Sequence, residues 1–531
     1  MLNAPTVQER LARLDPEQRA AATAPPGPIL CVAPAGSGKT STLVARIAWL
    51  VEGGVDPKTI TTLTFNRRAA EELTERLEAA LPGTGTPIRV RTFHALGLEI
   101  LREAGAPVAP LLDRDTVLRS LIPRISMAAL RRLDTAISRF KLDLALDPDV
   151  VASDADAGPV ALAFAAYERA LAEARGLDFD DLVARAVRLL ERDPLALATW
   201  RIRATHLLVD EAQDLDRMQL RMAVLLASPA HRIFLVGDDD QSIYGWRLAD
   251  VRRLLTLAET SLPGLRRHDL ATNYRCPAPV VERAVRLVTH NQERFAKAIR
   301  SRVHAPGGLI LAPTQDDAAD VCATVIRSWP SDESTRAILA RTNRELLPAV
   351  AACLAVEVPF RARDLELPLE SPILDTLLNQ MTRAPKEPLV VTLARLRDAE
   401  QGETKAIASA LLDWAPAHAD RASFHAAITE ARERLARLRR DDAALSLATV
   451  HGTKGLEFDH VAVIGLDAGR FPSARSIEDA EDPGRALEEE RRLAYVAWTR
   501  ARQTLTLSYD PAAPSQFLLE AFDDDELVTL A

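Results

Sequence analysis

The sequence predicts an α/β protein with two parallel sheets and two mainly helical insertions. Three observations predict it. Short apolar runs of strand length alternate with longer helical patterns. The runs fall into two sets, one before and one after about residue 262. Between them, residues 101–177 and 353–443 break the alternation and keep helical apolar spacing.

Taken in order, Ile29–Ala33 is a buried strand and Thr40–Leu50 an amphipathic helix. Ile60–Phe65 is a strand followed by the helix Arg68–Ala80. His206–Val209, Ile233–Val236, Leu309–Ala312, Ala337–Ala340 and Val461–Ile464 are further strands. The first insertion holds helical spacing over Val117–Lys141 and an Ala-rich helix near Val160–Ala174. The second opens on prolines (Pro359, Pro368, Pro372, Pro385, Pro388) and closes on a charged helix, ARERLARLRR.

Composition bounds the class. A chain of 531 residues with net charge −9 is expected to hold several cores, and its acidity excludes a polybasic, histone-like binder. Cys31, Cys276, Cys322 and Cys353 have no metal-ligand spacing and are expected to be buried thiols of a cytoplasmic protein. No signal peptide is apparent in MLNAPTVQERLARLD, and no apolar run approaches the ~18–20 residues of a membrane span.

The strongest local signal is APAGSGKT (Ala33–Thr40) between a strand and a helix. Small residues there (Ala35, Gly36, Ser37, Gly38) let consecutive backbone N–H groups face an anion at a helix N-terminus. Lys39 is placed to reach the β- and γ-phosphates, Ser41 follows in the first turn, and the Thr40 hydroxyl suits Mg²⁺. HLLVDEAQD (His206–Asp214) ends a strand in carboxylates: Asp210 to hold Mg²⁺, and Glu211 to position and deprotonate the attacking water. These blocks predict nucleoside-triphosphate hydrolysis. GDDDQSIYGWR (Gly237–Arg247) then crowds Gln241, Tyr244, Trp246 and Arg247 into one loop, the groups needed to run from a γ-phosphate to a stacked base.

Further blocks continue in a fixed order, and together they resemble the UvrD/PcrA/Rep branch of superfamily I DNA helicases. LDPEQRAA (Leu14–Ala21) resembles the adenine-reading Q motif and APAGSGKT motif I, with Pro34 where glycine is usual. TFNRRAAEEL (Thr64–Leu73) resembles motif Ia, departing from the family at Asn66, Arg67 and Arg68. RTFHALG (Arg91–Gly97) resembles motif Ib, and DFDDL (Asp178–Leu182) the segment before motif II. DEAQD, GDDDQSIYGWR and NYR (Asn273–Arg275) resemble motifs II, III and IV. TVHGTKGLEF (Thr449–Phe458) and EEERRLAYVAWTRA (Glu488–Ala501) resemble motifs V and VI, and PSQFL (Pro514–Leu518) the closing segment.

The resemblance implies two RecA-like motor domains of the P-loop NTPase type: 1–100 with 178–262, and 263–352 with 444–531. Residues 101–177 would be a 1B insertion and 353–443 a reduced 2B-like one. It implies that Gln18 reads adenine, Tyr274 stacks on it and Glu457 holds the ribose. Arg275 and Arg500 would be arginine fingers from the second motor domain, and Gln241 would couple the γ-phosphate to Trp246. Stacking is expected from Phe65, Phe93, Tyr244 and Trp246. Backbone contacts are expected from Thr64, Thr92, His94, Arg247, His451 and Thr453.

The implied activity is an ATP- and Mg²⁺-dependent 3′→5′ DNA helicase on single strands and junctions, acting in repair, replication or recombination as a monomer or DNA-dependent dimer. The short 2B-like region keeps open a translocase that strips proteins yet unwinds weakly. A nucleotide-gated scaffold is disfavoured by intact Lys39, Asp210, Glu211, Gln241, Arg275 and Arg500. Within 114–141, seven bases face two acids, and Arg131, Arg132 and Lys141 are expected to touch DNA.

Overall fold

The computed structural model describes residues 7–81, 88–153, 158–303, 307–363, 365–382, 387–400 and 402–528. The chain packs as two units, residues 1–304 with 482–495, and residues 305–481 with 496–531.

The first unit is built on a six-stranded sheet of β1 (Ile29–Val32), β2 (Ile60–Thr64), β3 (Arg89–Thr92), β4 (His206–Val209), β5 (Ile233–Gly237) and β6 (Arg266–Asp269). Their order is β3-β2-β4-β5-β1-β6, and every pairing is parallel. Helices cover both faces, so the central strands are apolar on both sides. Leu30 and Val32 point into one core with Leu63, Leu207 and Leu235. Ile29 and Cys31 point into the other with Ile60, Leu208 and Phe234. A separate pair, β7 (Thr272–Pro277) and β8 (Arg300–Val303), packs with this unit.

The first insertion folds as the helices Arg114–Leu121, Met127–Ser138, Pro148–Ser153 and Pro159–Glu173, capped at Asp113 and Ser126. Leu118, Leu130, Ile137, Phe164, Tyr167 and Leu171 form its own small core. A π-turn over Arg139–Asp143 ends the second helix.

The second unit carries another parallel sheet of β9 (Gly308–Pro313), β10 (Arg336–Ala340), β11 (Phe360–Arg361), β12 (Leu445–Thr449), β13 (Phe458–Val463) and β14 (Ala501–Tyr509). Their order is β11-β12-β10-β13-β14-β9. Its insertion is the helices Pro372–Thr382, Leu389–Ala399, Gly402–Trp414 and Arg421–Leu438, closed on Leu374, Leu377, Leu393, Ala408 and Phe424. Pro368, Pro372 and Pro388 stand at the starts of helical turns here, as a fixed φ and a missing N–H favour, Pro359 precedes β11, and Pro385 lies outside the described residues. The four cysteines are buried thiols. No helix among the described residues is long and apolar enough to cross a membrane.

Two expectations need correction. Residues 263–304 and 482–495 pack with the first unit rather than the second: β6 pairs with β1, Glu489 accepts the Gly245 N–H and Arg485 bonds Asp250. The basic run 114–141 is not one exposed face. Arg114 pairs with Asp134, Asp178 and Asp180, and Lys141 lies 2.7 to 3.1 Å from Glu168, Asp178 and Asp181. A buried cation must be matched by acids, and these two are. Arg131 and Arg132 do remain exposed.

Candidate functional site

The loop leaving β1 is shaped by two left-handed glycines, Gly36 (φ 67°) and Gly38 (φ 83°). A Cβ on Gly36 would meet Arg275 Cβ at 2.7 Å, and one on Gly38 would meet Gln18 Nε2 at 2.5 Å. Ala33 N–H donates to Gly237 O, tying the loop to β5, and the helix Lys39–Glu52 follows directly. Its first turn therefore presents unsatisfied backbone donors into the loop.

Lys39 is the first residue of that helix, and its buried Nζ makes no hydrogen bond to the described residues; nor does the Ser37 hydroxyl. The ammonium lies 3.9 Å from Glu211 Oε2. At the end of β4, burial and the neighbouring Glu211 push the Asp210 carboxyl up to about 7. Glu211 holds a left-handed backbone (φ 52°), rare for a residue with a Cβ, and accepts a hydrogen bond from Gln213 Nε2 at 2.6 Å. A buried ammonium without a hydrogen bond, beside two crowded carboxylates, fits a phosphate and its divalent cation. No group of three or more His, Cys, Asp or Glu among the described residues forms a metal cage by itself.

Several predicted residues close around this loop. Gln18 Nε2 donates to Ser37 O at 2.8 Å, and its helix is fixed by a capping box with Asp15. Tyr274 N–H donates to Gly36 O at 2.8 Å while its hydroxyl bonds Asp15. The Arg302 guanidinium lies 5.5 Å from the Tyr274 ring. Asn273 Nδ2 donates to Ala35 O at 2.8 Å. Arg275 therefore sits on β7 in the first unit, which corrects its expected place in the second. The loop after β5 hangs on Asp238, whose Oδ2 accepts Gln241 Nε2 at 2.5 Å and whose N–H donates to Gln213 Oε1 at 2.9 Å.

The far end of that same loop lines a second feature, a cleft of about 880 Å³. Phe65, Thr92, His94, Trp246 and Arg247 all face it. Phe65 stacks on Tyr244 at 4.9 Å, Trp246 stands edge-on to Tyr244 at 6.1 Å, and Arg247 covers Trp246 at 4.7 Å. Trp246 is 57% exposed where it lines the cleft. Thr92 and Asn66 cap the helices Phe93–Glu103 and Arg67–Ala80, whose N-termini border the cleft. Burial drives His94 down to about 4, so its ring is neutral near pH 7. The acids in the wall are neutralised where it matters, since Asp178 and Asp180 both bond Arg114.

Sequence reasoning missed Phe179, which is 55% exposed in the cleft and stacks on His94 at 4.0 Å. The signal was an aromatic between acids in DFDDL. Three predicted contacts are buried instead. Phe93 lies in the core under β1 and β2, Thr64 is buried with its hydroxyl on Asn66 O, and Thr453 is buried with its hydroxyl on Val450 O. Each is a residue whose neighbours need it for packing or capping, and the strand-end pattern did not distinguish that.

In the second unit, His451 sits half-buried on the turn Val450–Thr453 after β12. Glu457 is exposed, 3.6 Å from Arg502. The Arg500 guanidinium is buried and donates to Val496 O and Leu456 O at 2.9 and 3.0 Å.

Comparison with known proteins agrees with this arrangement. Residues 14–261 match the UvrD/REP helicase N-terminal domain and residues 417–511 the UvrD-like helicase C-terminal domain. DNA helicase II of Escherichia coli (strain K12) is 29% identical, over 94% of this chain and 84% of that protein. ATP-dependent DNA helicase PcrA of Leuconostoc citreum is also 29% identical, over 91% and 80%. PcrA of Staphylococcus aureus (strain Mu50) reaches 33%, over 54% of this chain and 42% of that protein. With both family domains matched in order and relatives aligned along most of its length, the chain belongs to the UvrD/PcrA-like helicases.

Proposed function

We propose that this chain is an ATP-dependent DNA helicase that moves 3′→5′ along single-stranded DNA and unwinds duplex. The observation that carries the reading is the loop after β5. At one end Gln241 bonds Asp238, next to the Gly237 whose carbonyl accepts the Ala33 N–H; at the other Trp246 and Arg247 line the cleft and Tyr244 stacks on Phe65. In this reading one short segment would run from the phosphate site to the base-stacking site. The names of the relatives, DNA helicase II and ATP-dependent DNA helicase PcrA, support the same substrate and nucleotide.

In this reading the N–H groups of Ala35 to Ser41 and the Lys39 ammonium bind the phosphates. Thr40 and Asp210 would hold Mg²⁺, which when bound neutralises phosphate charge. Glu211 takes the proton of the attacking water. Gln18 and Tyr274 hold adenine and Glu457 the ribose, while Arg275 and Arg500 stabilise charge on the transferring phosphoryl. Single-stranded DNA lies on Phe65, Phe179, Tyr244 and Trp246, with Thr92, His94, Arg247 and His451 on its backbone.

ATP turnover measured with and without oligo(dT) tests the motor, and absence of stimulation would refute it. Tailed duplexes test direction: unwinding only from 5′ tails would reverse the polarity. The compact second insertion, four helices on one small core, favours a second reading of strand translocation with weak unwinding. Stimulated turnover without release of the duplex strand would select it. Activity in repair, replication or recombination belongs to the same proposal, with a role as monomer or DNA-dependent dimer.

A further inference from the structure

A lysine outside every recognised motif lies under the loop after β5. The Lys297 side chain is fully buried, with its Nζ 3.0 Å from Asp238 Oδ1, 2.9 Å from Asp240 Oδ2 and in contact with Asp239 Oδ1. Burial alone would discharge it, but the three carboxylates hold it firmly protonated. Its neighbours complete the grip: Arg294 binds Asp240 with two hydrogen bonds of 2.9 Å, and Phe295 N–H donates to Asp239 Oδ2 at 2.8 Å.

Three consecutive carboxylates in one buried turn would repel one another and turn outward without a cation. Arg294 serves only Asp240 among them. Lys297 thus supplies, among the described residues, the one cation on the Asp238 carboxylate, whose Oδ1 also accepts the Asp240 N–H at 3.2 Å, and that group has little freedom left. One oxygen takes the ammonium and the other takes Gln241 Nε2 at 2.5 Å. The Asp238 N–H meanwhile donates to Gln213 Oε1, whose own Nε2 donates to Glu211. A single ammonium is therefore one carboxylate away from Gln241 and two residues away from Glu211.

We propose that Lys297 is a positioning residue for Gln241, and that through Asp238 it sets how strongly a bound strand accelerates hydrolysis. The segment that carries it reinforces the point. Asn273 and Tyr274, earlier on the same stretch, bond the Ala35 and Gly36 carbonyls, so residues 273–297 grip both the phosphate loop and the Gln241 loop. This inference rests on the reading that Gln241 links nucleotide to strand.

The test is the ratio of turnover with oligo(dT) to turnover without it, measured beside oligo(dT) affinity by fluorescence anisotropy. Lys297→Met should lower that ratio by roughly 10-fold or more, since a misplacement near 1 Å can cost about 100-fold. Oligo(dT) affinity should stay at the wild-type level. Should Lys297→Met not fold, Lys297→Met combined with Asp239→Asn removes one charge of each sign and preserves the local balance. If Lys297 only neutralises the acids, this double variant regains full stimulation, and the proposal is overturned; if Lys297 orients Asp238, stimulation stays low. A wild-type protein with no stimulation at all refutes the motor reading instead. Normal stimulation in both wild type and variant refutes only the role of Lys297.

Discussion

The two six-stranded parallel sheets share a layer plan and differ in strand order, and the difference decides what each can do. In the first, β1 lies inside the sheet between β5 and β6, one strand from β4. Its exit loop is therefore flanked by the loops that carry Asp210 and Gln241. In the second, the first strand in the chain, β9, is an edge strand with β14 as its one neighbour. Its exit holds Thr314, Gln315 and Asp316 before a helix capped by Asp317, with no glycine to bring backbone close to a phosphate. What the second sheet offers in the proposed function is single side chains, Arg500 just before β14 and His451 after β12. A parallel sheet acquires a phosphate site where its first loop leaves an interior strand, not from the layer architecture as such.

The sharpest way to break that contrast is to remove one charge from each unit. Lys39→Ala should abolish ATP turnover while strand binding persists, as read by anisotropy. Arg500→Ala should lower turnover by about 10³-fold, the scale expected of an arginine on a transferring phosphoryl. Because Arg500 also bonds two carbonyls, its melting temperature must be read alongside. Normal turnover in Arg500→Ala would leave the second sheet with no share in the chemistry.

The insertions extend the contrast to stability. The first is anchored by ions and the second by apolar packing. Lys141→Met leaves Glu168 without a cation and Asp178 and Asp181 with only Arg114 and Arg185, and should cost about 3–5 kcal/mol. Leu393→Ala, inside the second core, should cost about 2–5 kcal/mol. Acid separates them. Burial raises the Asp178 carboxyl, but Lys141 and Arg114 outweigh it and hold the group below its ordinary range. A depressed folded value gives stability that is complete above the unfolded value of about 3.9 and is lost as pH falls below it. Lys141→Met should shrink that acid-dependent contribution, so its deficit against wild type narrows as pH falls, whereas the deficit of Leu393→Ala should not change with pH. Chemical denaturation between pH 3 and 7 reads both.

Much of this was legible in the sequence because it is local. The β1 loop, the helix after it and the acids closing β4 are read from spacing alone, and the structure joins them. Strands β3 (RVRT) and β6 (RRHD) were not legible: both are charged edge strands without the apolar run that marked the central ones. Lys141 and Lys297 were invisible for a related reason. Each is buried by acids far away in the chain, Asp178 for one and Asp238 for the other, and a lysine on its own reads as surface. Phe93 and Phe179 exchanged expectations, since two aromatics near strand or helix starts look alike until packing sorts them.

Smaller effects sharpen the cleft itself. Trp246→Ala should weaken oligo(dT) binding by about 1–3 kcal/mol, the value of one stacked base, and Phe179→Ala should fall in the same range. Phe93→Ala is expected to act differently, lowering the melting temperature through a core cavity.

The smallest expected change separates exposed from internal cations within the first insertion. Arg131 and Arg132 are exposed and open to phosphate, whereas Arg114 is engaged by Asp134, Asp178 and Asp180. A contact with single-stranded phosphate contributes about 0.7 to the slope of log affinity against log salt. Replacing both Arg131 and Arg132 by alanine should therefore flatten that slope by about 1.4 if each touches one phosphate. Arg114→Lys should leave the slope unchanged, because its charge is already matched inside the protein. An unchanged slope in the Arg131 and Arg132 double variant would confine strand binding to the cleft and leave the insertion's exposed arginines to solvent alone.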